Sequence, residues 1–263
     1  MPLLAWIVLF TLLGGALSAL AASLFLVAPE SVRARVLPHL VSFATGALLG
    51  AALLGLLPHA IEQVGLSGTH TVGLTLLAGL LVFFVLEKMV LWRHCHQDVC
   101  EGHVPHMHVS DAHRDAASAS LILIGDGFHN VLDGVLIAAA FMTDVHLGVV
   151  TALAVIAHEI PQEVGDLAIL LHGGMSRLRA LTLNLLTSLT SVVGGVAAYF
   201  ALGPVQQVLP YAISLAAASF LYIAVADLIP GLHRRVDAGA GVRQFVFIMV
   251  GVAVIYLSHS LAH

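Results

Sequence analysis

Two stretches of this chain set ionisable side chains among apolar neighbours. The first reads Gly125-Asp126-Gly127-Phe128-His129-Asn130-Val131-Leu132-Asp133-Gly134, and the second Ala157-His158-Glu159-Ile160-Pro161-Gln162-Glu163-Val164-Gly165-Asp166. Helical neighbours stand three or four residues apart. Asp126 therefore stacks with His129 and Asn130, and His129 with Asp133, while Leu123, Phe128, Val131, Leu132 and Val135 keep the other side apolar. In the second stretch His158 lies over Gln162, and Glu159, Glu163 and Asp166 form the adjoining row. Pro161 has no N–H, so the Ala157 carbonyl loses its usual helical partner. Backbone of that kind is tolerated in apolar surroundings where it lines a cavity or finds another donor. Imidazole, carboxylate and amide make a mixed N/O donor set. Such a set suits Zn²⁺, Fe²⁺ or Mn²⁺ better than alkali ions, and neither stretch offers a thiolate. A carboxylate can bridge two ions, so one or two could be held.

The elements that position these residues follow from composition. The 263 residues are 59% hydrophobic and 10% charged, against about 25% charged in soluble domains, with a mean hydropathy of +1.01. That excludes a soluble enzyme and a disordered linker. A net charge of −5 without a basic tract excludes a nucleic-acid binder. Two cysteines cannot build a disulfide framework. The 16 His outnumber the 10 Lys and Arg together, a first hint of metal handling.

A membrane crossing needs about 20 mostly apolar residues. The pattern predicts an all-α membrane protein of eight transmembrane helices, over residues 3–27, 36–57, 70–91, 116–142, 147–171, 180–202, 208–229 and 244–262 of a single domain. Gly203-Pro204 with Gln206-Gln207 separates the sixth span from the seventh. The first span lacks a basic leading region and a small-residue cleavage pattern, so it reads as a retained helix. Basic residues follow the odd-numbered spans: Arg33 and Arg35; Lys88, Arg93 and Arg114; Arg177 and Arg179; Arg234, Arg235 and Arg243. The loops after spans 2, 4 and 6 hold none. The positive-inside rule then puts both termini outside, extracellular or periplasmic, for a multi-pass protein of the plasma or inner membrane. Leu57-Pro58-His59 closes span 2 near the outer face, and Leu228-Ile229-Pro230-Gly231 closes span 7 near the inner face. Two Pro-terminated helices at opposite depths suit an inverted repeat of three spans on each side of a central pair, a 3+2+3 arrangement.

An Asp at a helix centre costs about 2.5–3.5 kcal/mol on insertion scales. Asp126, Asp133, Glu159, Glu163 and Asp166 together would cost on the order of 10 kcal/mol or more facing lipid. Spans 4 and 5 contain no Lys or Arg. The two polar stripes must face each other or a hydrated path, and a bound cation or protons must supply the missing positive charge.

His129-Asn130-x-x-Asp133-Gly134 followed by His158-Glu159-Ile160-Pro161-x-Glu163-x-Gly165-Asp166 resembles the paired signature of the ZIP (Zrt/Irt-like) metal transporters, most closely their histidine-rich subfamily. The resemblance extends to the eight spans, the outside termini and a His-rich cytoplasmic loop after span 3. It implies a binuclear site between spans 4 and 5 and inward transport of a divalent metal. His129, Asp133 and His158 would be ligands of the primary site. Asn130 and Glu159 would belong to the second, with Asp133 able to bridge; Gln162 and Glu163 are further expected metal-site residues of the second stretch. Gln162 departs from the pattern, since many members of that subfamily have His there. An amide oxygen is the weaker transition-metal donor, which bears on the choice among Zn²⁺, Fe²⁺ and Mn²⁺.

Other residues carry two readings each. The polar loop 92–118 holds His94, Cys95, His96, Cys100, His103, His106, His108 and His113, either a metal-capturing tract or a solubilising linker. His59 and Glu62, one turn apart at the outer end of span 2, either line the metal entrance or are interfacial. Asp227 near the inner end of span 7 suits an exit path or a helix end. With His59, Glu62 and Asp227, Asp126 and Asp166 are expected among the pathway residues. Asn184 and Ser188 on span 6 could add oxygen ligands or bond between helices. Gly14, Gly15, Gly46, Gly50, Gly55, Gly194 and Gly195 suit close helix packing.

Three functions compete. The first is a secondary carrier of divalent metal with no catalytic cofactor, the metal itself being the cargo, in a lipid bilayer and compatible with a homodimer. No G-x-x-x-x-G-K-[ST] is present, so gradients must drive it. The second is an intramembrane zinc metalloprotease, because His158-Glu159-x-x-Gln162 falls one residue short of H-E-x-x-H. The third is a proton-coupled carrier of another solute.

Overall fold

A computed structural model describes residues 2–94, 111–172, 174–233 and 238–260. Every regular element among them is helical. Helix α1 spans Leu3–Val27, α2 residues 30–64 and α3 residues 66–94. Helix α4 spans Asp111–Thr143 and α5 Val145–His172. Residues 177–202 form α6, residues 209–233 form α7, and Ala238–Ser260 is α8.

Among the described residues, six helical runs are long and apolar enough to cross a membrane. Two of them, Glu30–Leu86 and Arg177–His233, are 57 residues each. At 1.5 Å per residue that is about 85 Å, far beyond a hydrocarbon core of about 30 Å. Each run is interrupted. Gly65 takes φ 68° and ψ −177°, a left-handed position that costs a residue with a Cβ about 1–2 kcal/mol. Gly203–Val208 forms a tight 3₁₀ turn with Pro204 near its start.

Leu53, Leu54 and Leu57 of α2 lead into Pro58, and Ala51–Leu56 is wound as a π turn. Ile223–Leu228 of α7 is wound the same way, just before Ile229-Pro230. A proline removes an N–H and clashes with the carbonyl four residues back, and a locally wider turn accommodates it. The π turn of α2 packs on α7, and that of α7 packs on α2.

Helix α1 packs on α4, α5 and α6; α2 on α5 and α8; α3 on α7. Ile7, Leu48, Leu56, Ile137, Phe141, Leu147, Ile213, Phe220 and Ile255 fill the main core. Trp6, Phe10 and Phe141 stack at one end of it. A second cluster of Ala22, Val164, Leu167, Leu170 and Ala180 joins α1, α5 and α6. Phe128 on the back of α4 is 71% exposed, whereas Asp133 on its front is 1% exposed. That inversion is what lipid requires of a spanning helix. The multi-pass membrane reading therefore holds for the all-helical fold.

Glycines set the tightest crossings. A Cβ on Gly134 of α4 would strike the Ser191 carbonyl of α6, and one on Gly194 of α6 would strike the Val131 carbonyl of α4. The two backbones touch, which fixes the polar front of α4 against α6. Gly46 of α2 meets the Ile248 carbonyl of α8, and Gly251 meets Phe43, in the same reciprocal way. At Gly14 and Gly55 an added Cβ would find only ordinary contact distances.

The turn between α4 and α5 is closed by Asp144. Its Oδ1 accepts the N–H groups of His146 at 2.8 Å and Leu147 at 3.0 Å, capping α5. Partial burial works against ionisation, but those two amides and the nearby imidazoles of His146 and His59 outweigh it and hold the carboxyl below its usual range.

Two outcomes follow from this packing. Gly194→Val should destabilise the fold by about 2–3 kcal/mol, because backbone has no room to yield. Gly73→Ala, on an open face of α3, should be neutral or mildly stabilising; thermal melting in detergent compares them. Asp144→Ala should cost about 1 kcal/mol at neutral pH by loss of the cap. A lowered carboxyl pKa contributes stability that is lost as pH falls through the folded value. The gap in melting temperature between wild type and Asp144→Ala should therefore close on acidification.

Candidate metal centre

Four side chains converge between α4 and α5. One ligand atom each from His129, Asp133, His158 and Glu159 lies within 4.8 Å of all the others. The i, i+4 spacing puts His129 and Asp133 on one turn of α4. His158 and Glu159 are chain neighbours whose side chains reach the same point from α5. Asp133, His158 and Glu159 are buried, and His129 is partly open at 23% exposure.

The distances are those of a small polyhedron. His129 Nε2 is 3.2 Å from His158 Nε2, 3.4 Å from Glu159 Oε1 and 3.8 Å from Asp133 Oδ2. His158 Nε2 is 3.2 Å from Asp133 Oδ2 and 3.6 Å from Glu159 Oε1. A tetrahedron with bonds of about 2.0–2.1 Å has edges of about 3.3–3.4 Å. The five separations bracket that value.

Hydrogen bonding sharpens the point. His158 Nδ1 lies 3.1 Å from the Ala154 carbonyl one turn back, which assigns its proton to Nδ1 and turns the Nε2 lone pair toward the cluster. A fixed tautomer of this kind is typical of metal-binding His. Both oxygens of Asp133 and both of Glu159 are buried without a hydrogen-bond partner. Lone pair and anion facing each other at 3.2 Å repel unless a cation stands between them. Leaving such groups unpaired costs several kcal/mol each.

The neighbouring carboxylates are held differently. Glu163 accepts Ser188 Oγ at 2.5 Å and the Asn184 amide, both from α6. Asp126 accepts Thr187 Oγ1 at 2.5 Å and Asn130 Nδ2 at 2.9 Å. Glu163 and Asp126 thus tie α5 and α4 to α6 and lie outside the four-residue convergence. With its Nδ2 donated to Asp126, Asn130 leaves Oδ1 buried and unpartnered. Asp166 is half-buried, one turn beyond Glu163.

Gln162 is half-buried and lines a cavity of about 160 Å³ with His158, Pro161, Gly165, Val41, Ile223 and Asp227. That cavity opens the cluster toward the π turn of α7. The ring of Phe220 on α7, one turn before that opening, lies 6.2 Å from the His158 ring centre to centre at a steep angle. His59 Nδ1 bonds the Gly55 carbonyl at 3.1 Å, and Glu62 is exposed one turn on. Cys95, His96, Cys100, His103, His106 and His108 lie outside the described residues, as do the side chains of His94 and His113.

Thr187 carries no signal in isolation. It stands three residues from Asn184 and one from Ser188, on the stripe of α6 that donates to both carboxylates. A polar stripe on an otherwise apolar α6 is the feature that would reveal it.

A family model described as ZIP zinc transporter matches residues 93–259. Zinc transporter ZIP13 of Pongo abelii is 32% identical over 233 residues, 84% of this chain and 66% of that protein. Zinc transporter ZIP13 of Mus musculus is 31% identical, over 84% of this chain and 69% of that protein. Zinc transporter ZIP4 of Homo sapiens is 31% identical over 77% of this chain, but this covers only 39% of its own length.

Proposed function

The chain belongs to the ZIP zinc transporter family, and on that premise we propose that it carries Zn²⁺ inward through the cluster of His129, Asp133, His158 and Glu159. Members of this family are transporters and not enzymes, so the protease reading of His158-Glu159-x-x-Gln162 falls away. Metal-ion transport across a membrane is thereby the activity. Its cargo, route and direction are our reading.

One observation carries it: two imidazole nitrogens and two bare carboxylates converge at tetrahedral spacing, with no Lys or Arg in residues 116–142 of α4 or in α5. Two nitrogens and two carboxylate oxygens in a compact four-point set suit Zn²⁺. Mn²⁺ asks for more oxygens in an octahedral shell. His129 and His158 bind as neutral imidazoles, and each carboxylate removes one unit of the ion's charge. The second oxygens of Asp133 and Glu159, with Asn130 Oδ1, provide for a second ion, Asp133 bridging. Gln162 and Asp227 line the side cavity, which serves as the inward exit. An amide there holds the ion weakly and favours its release.

We read each 57-residue run as two crossings joined at Gly65 and at Gly203–Val208, which gives eight in all with both termini outside. The matched π turns before Pro58 and Pro230, each packed against the other helix, support an inverted repeat around α4 and α5. Arg35 of α2 and Arg243 of α8 line one cavity, so basic residues from the first turns of two separate helices share an end of the fold. That end is cytoplasmic by the positive-inside rule. A potential negative inside favours entry of a divalent ion by about 4.6 kcal/mol per 100 mV. Asp126 and Glu163, anchored to α6, keep α4, α5 and α6 moving as one body when the site changes sides.

In proteoliposomes, Asp133→Ala and His158→Ala should each cut Zn²⁺ uptake by about 100-fold or more, since each removes a ligand and exceeds the loss from an outer-shell change. Both proteins should elute as folded wild type does. Uptake at the wild-type rate by either variant would refute the assignment.

A further inference from the structure

Along one face of α5, polar side chains recur at every seventh residue: Asp144 at its N-cap, then Thr151, then His158. Seven residues make about two turns, or about 10 Å of helix, and return to within about 20° of the same direction. Asp144 closes the α4–α5 turn, with the His59 imidazole nearby. His158 belongs to the metal cluster. Thr151 stands midway between them.

Contacts show where that face points. Leu147 and Val150 lie against Gly55 of α2, on one side of Thr151. On its other side, Gly148 meets the Phe141 ring of α4, and Val155 meets Gly14 of α1. Thr151 therefore points into the seam between α4 and α2. His158 points into the same seam two turns on, where it meets Asp133 of α4 and borders a cavity shared with Val41 of α2. Leu147, Ala154 and Val155, the helical neighbours of Thr151, all belong to the apolar core.

Thr151 is 0% exposed, and its Oγ1 is buried without a hydrogen-bond partner. A helical Thr commonly donates its hydroxyl to a carbonyl three or four residues back, as Thr11, Thr45 and Thr143 do in this fold. The Thr151 hydroxyl is desolvated by the closed seam and receives no bond in return, which is unfavourable. A valine of the same shape would suit this packing better. The oxygen is of use only where the seam opens.

We propose that Thr151 is a way-station for the incoming cation, its Oγ1 lending a lone pair to the ion between the mouth at Asp144 and the cluster at His158. The inference rests on metal passing through that cluster and on the α4–α5 turn being outside, as proposed above. An ion in an apolar seam needs an oxygen within reach. A neutral hydroxyl holds it weakly enough to yield it to the anionic cluster, as passage through successive sites requires. With the seam parted, Asp144, Thr151 and His158 form a ladder of about 10 Å steps. The cavity lined by Gln162 and Asp227 continues from its inner end.

Three measurements on the whole chain test this: Zn²⁺ uptake in proteoliposomes, equilibrium Zn²⁺ binding in detergent, and thermal melting. Thr151→Val removes only the oxygen. It should slow uptake by about 10-fold, the lower end of what losing a metal-supporting group costs. Its Zn²⁺ binding should be unchanged, and its melting temperature equal to wild type or higher. Thr151→Ser returns the oxygen and should recover most of the rate. Uptake by Thr151→Val at the wild-type rate overturns the proposal. A lower melting temperature or failure to fold in that variant also overturns it, by making the hydroxyl structural. An equal loss of Zn²⁺ binding does so too, because the change would then act on the cluster. Thr151→Ser uptake as slow as that of Thr151→Val overturns it as well, since the oxygen would not be the group that matters. Failure of the underlying cluster reading looks different: it shows as uptake that survives His158→Ala, whatever the Thr151 variants do.

Discussion

Anionic oxygen does not survive inside a hydrocarbon layer without a counter-charge or a donor. Asp126, Asp133, Glu159 and Glu163 are all buried within α4 and α5, and neither residues 116–142 of α4 nor α5 contain Lys or Arg. The fold answers this in two ways. Glu163 and Asp126 receive hydroxyl and amide donors from α6 and from Asn130. Asp133 and Glu159 receive none, and two imidazole nitrogens stand beside them instead. The first pair is bonded by the protein's own donors. For the second pair we propose a divalent ion as the partner.

That division depends on backbone proximity more than on the ionisable groups. Gly134 and Gly194 let α4 and α6 touch, which brings Thr187 within reach of Asp126 and lets Thr190 donate to the Gly127 carbonyl. Ser191 bonds the Thr11 carbonyl, drawing α1 into the same unit. Hydrogen bonds between membrane helices contribute about 0.6 kcal/mol each on average. Their value here is geometric: they hold the front of α4 toward α5, so that His129 and Asp133 meet His158 and Glu159.

Much of this was legible in the sequence. Composition and hydropathy alone require an all-helical membrane protein. The three-and-four spacing marks a polar stripe on each helix, which holds His129, Asn130 and Asp133 on one and His158, Glu159, Gln162 and Glu163 on the other, but not which of them converge. The fates of Asp126 and Glu163 were not legible. Whether a buried carboxylate takes a metal or a hydroxyl depends on which residues a third helix presents, and Thr187 and Ser188 of α6 stand some sixty and twenty-five positions away. Asn184 and Ser188 were open to ligation or to interhelical bonding, and their contacts are with Glu163. The π turns of α2 and α7 have a local cause in Pro58 and Pro230. Their mutual packing has none that a one-dimensional pattern could reveal.

The central claim is that two imidazoles and two carboxylates enclose one Zn²⁺. Zinc-edge anomalous diffraction from crystals grown with Zn²⁺ tests it most directly. The account predicts an anomalous peak about 2.0–2.2 Å from Nε2 of both His129 and His158 and from an oxygen of Asp133 and of Glu159. A zinc-loaded protein whose only peaks lie elsewhere, with these four side chains bonded to one another, would contradict it.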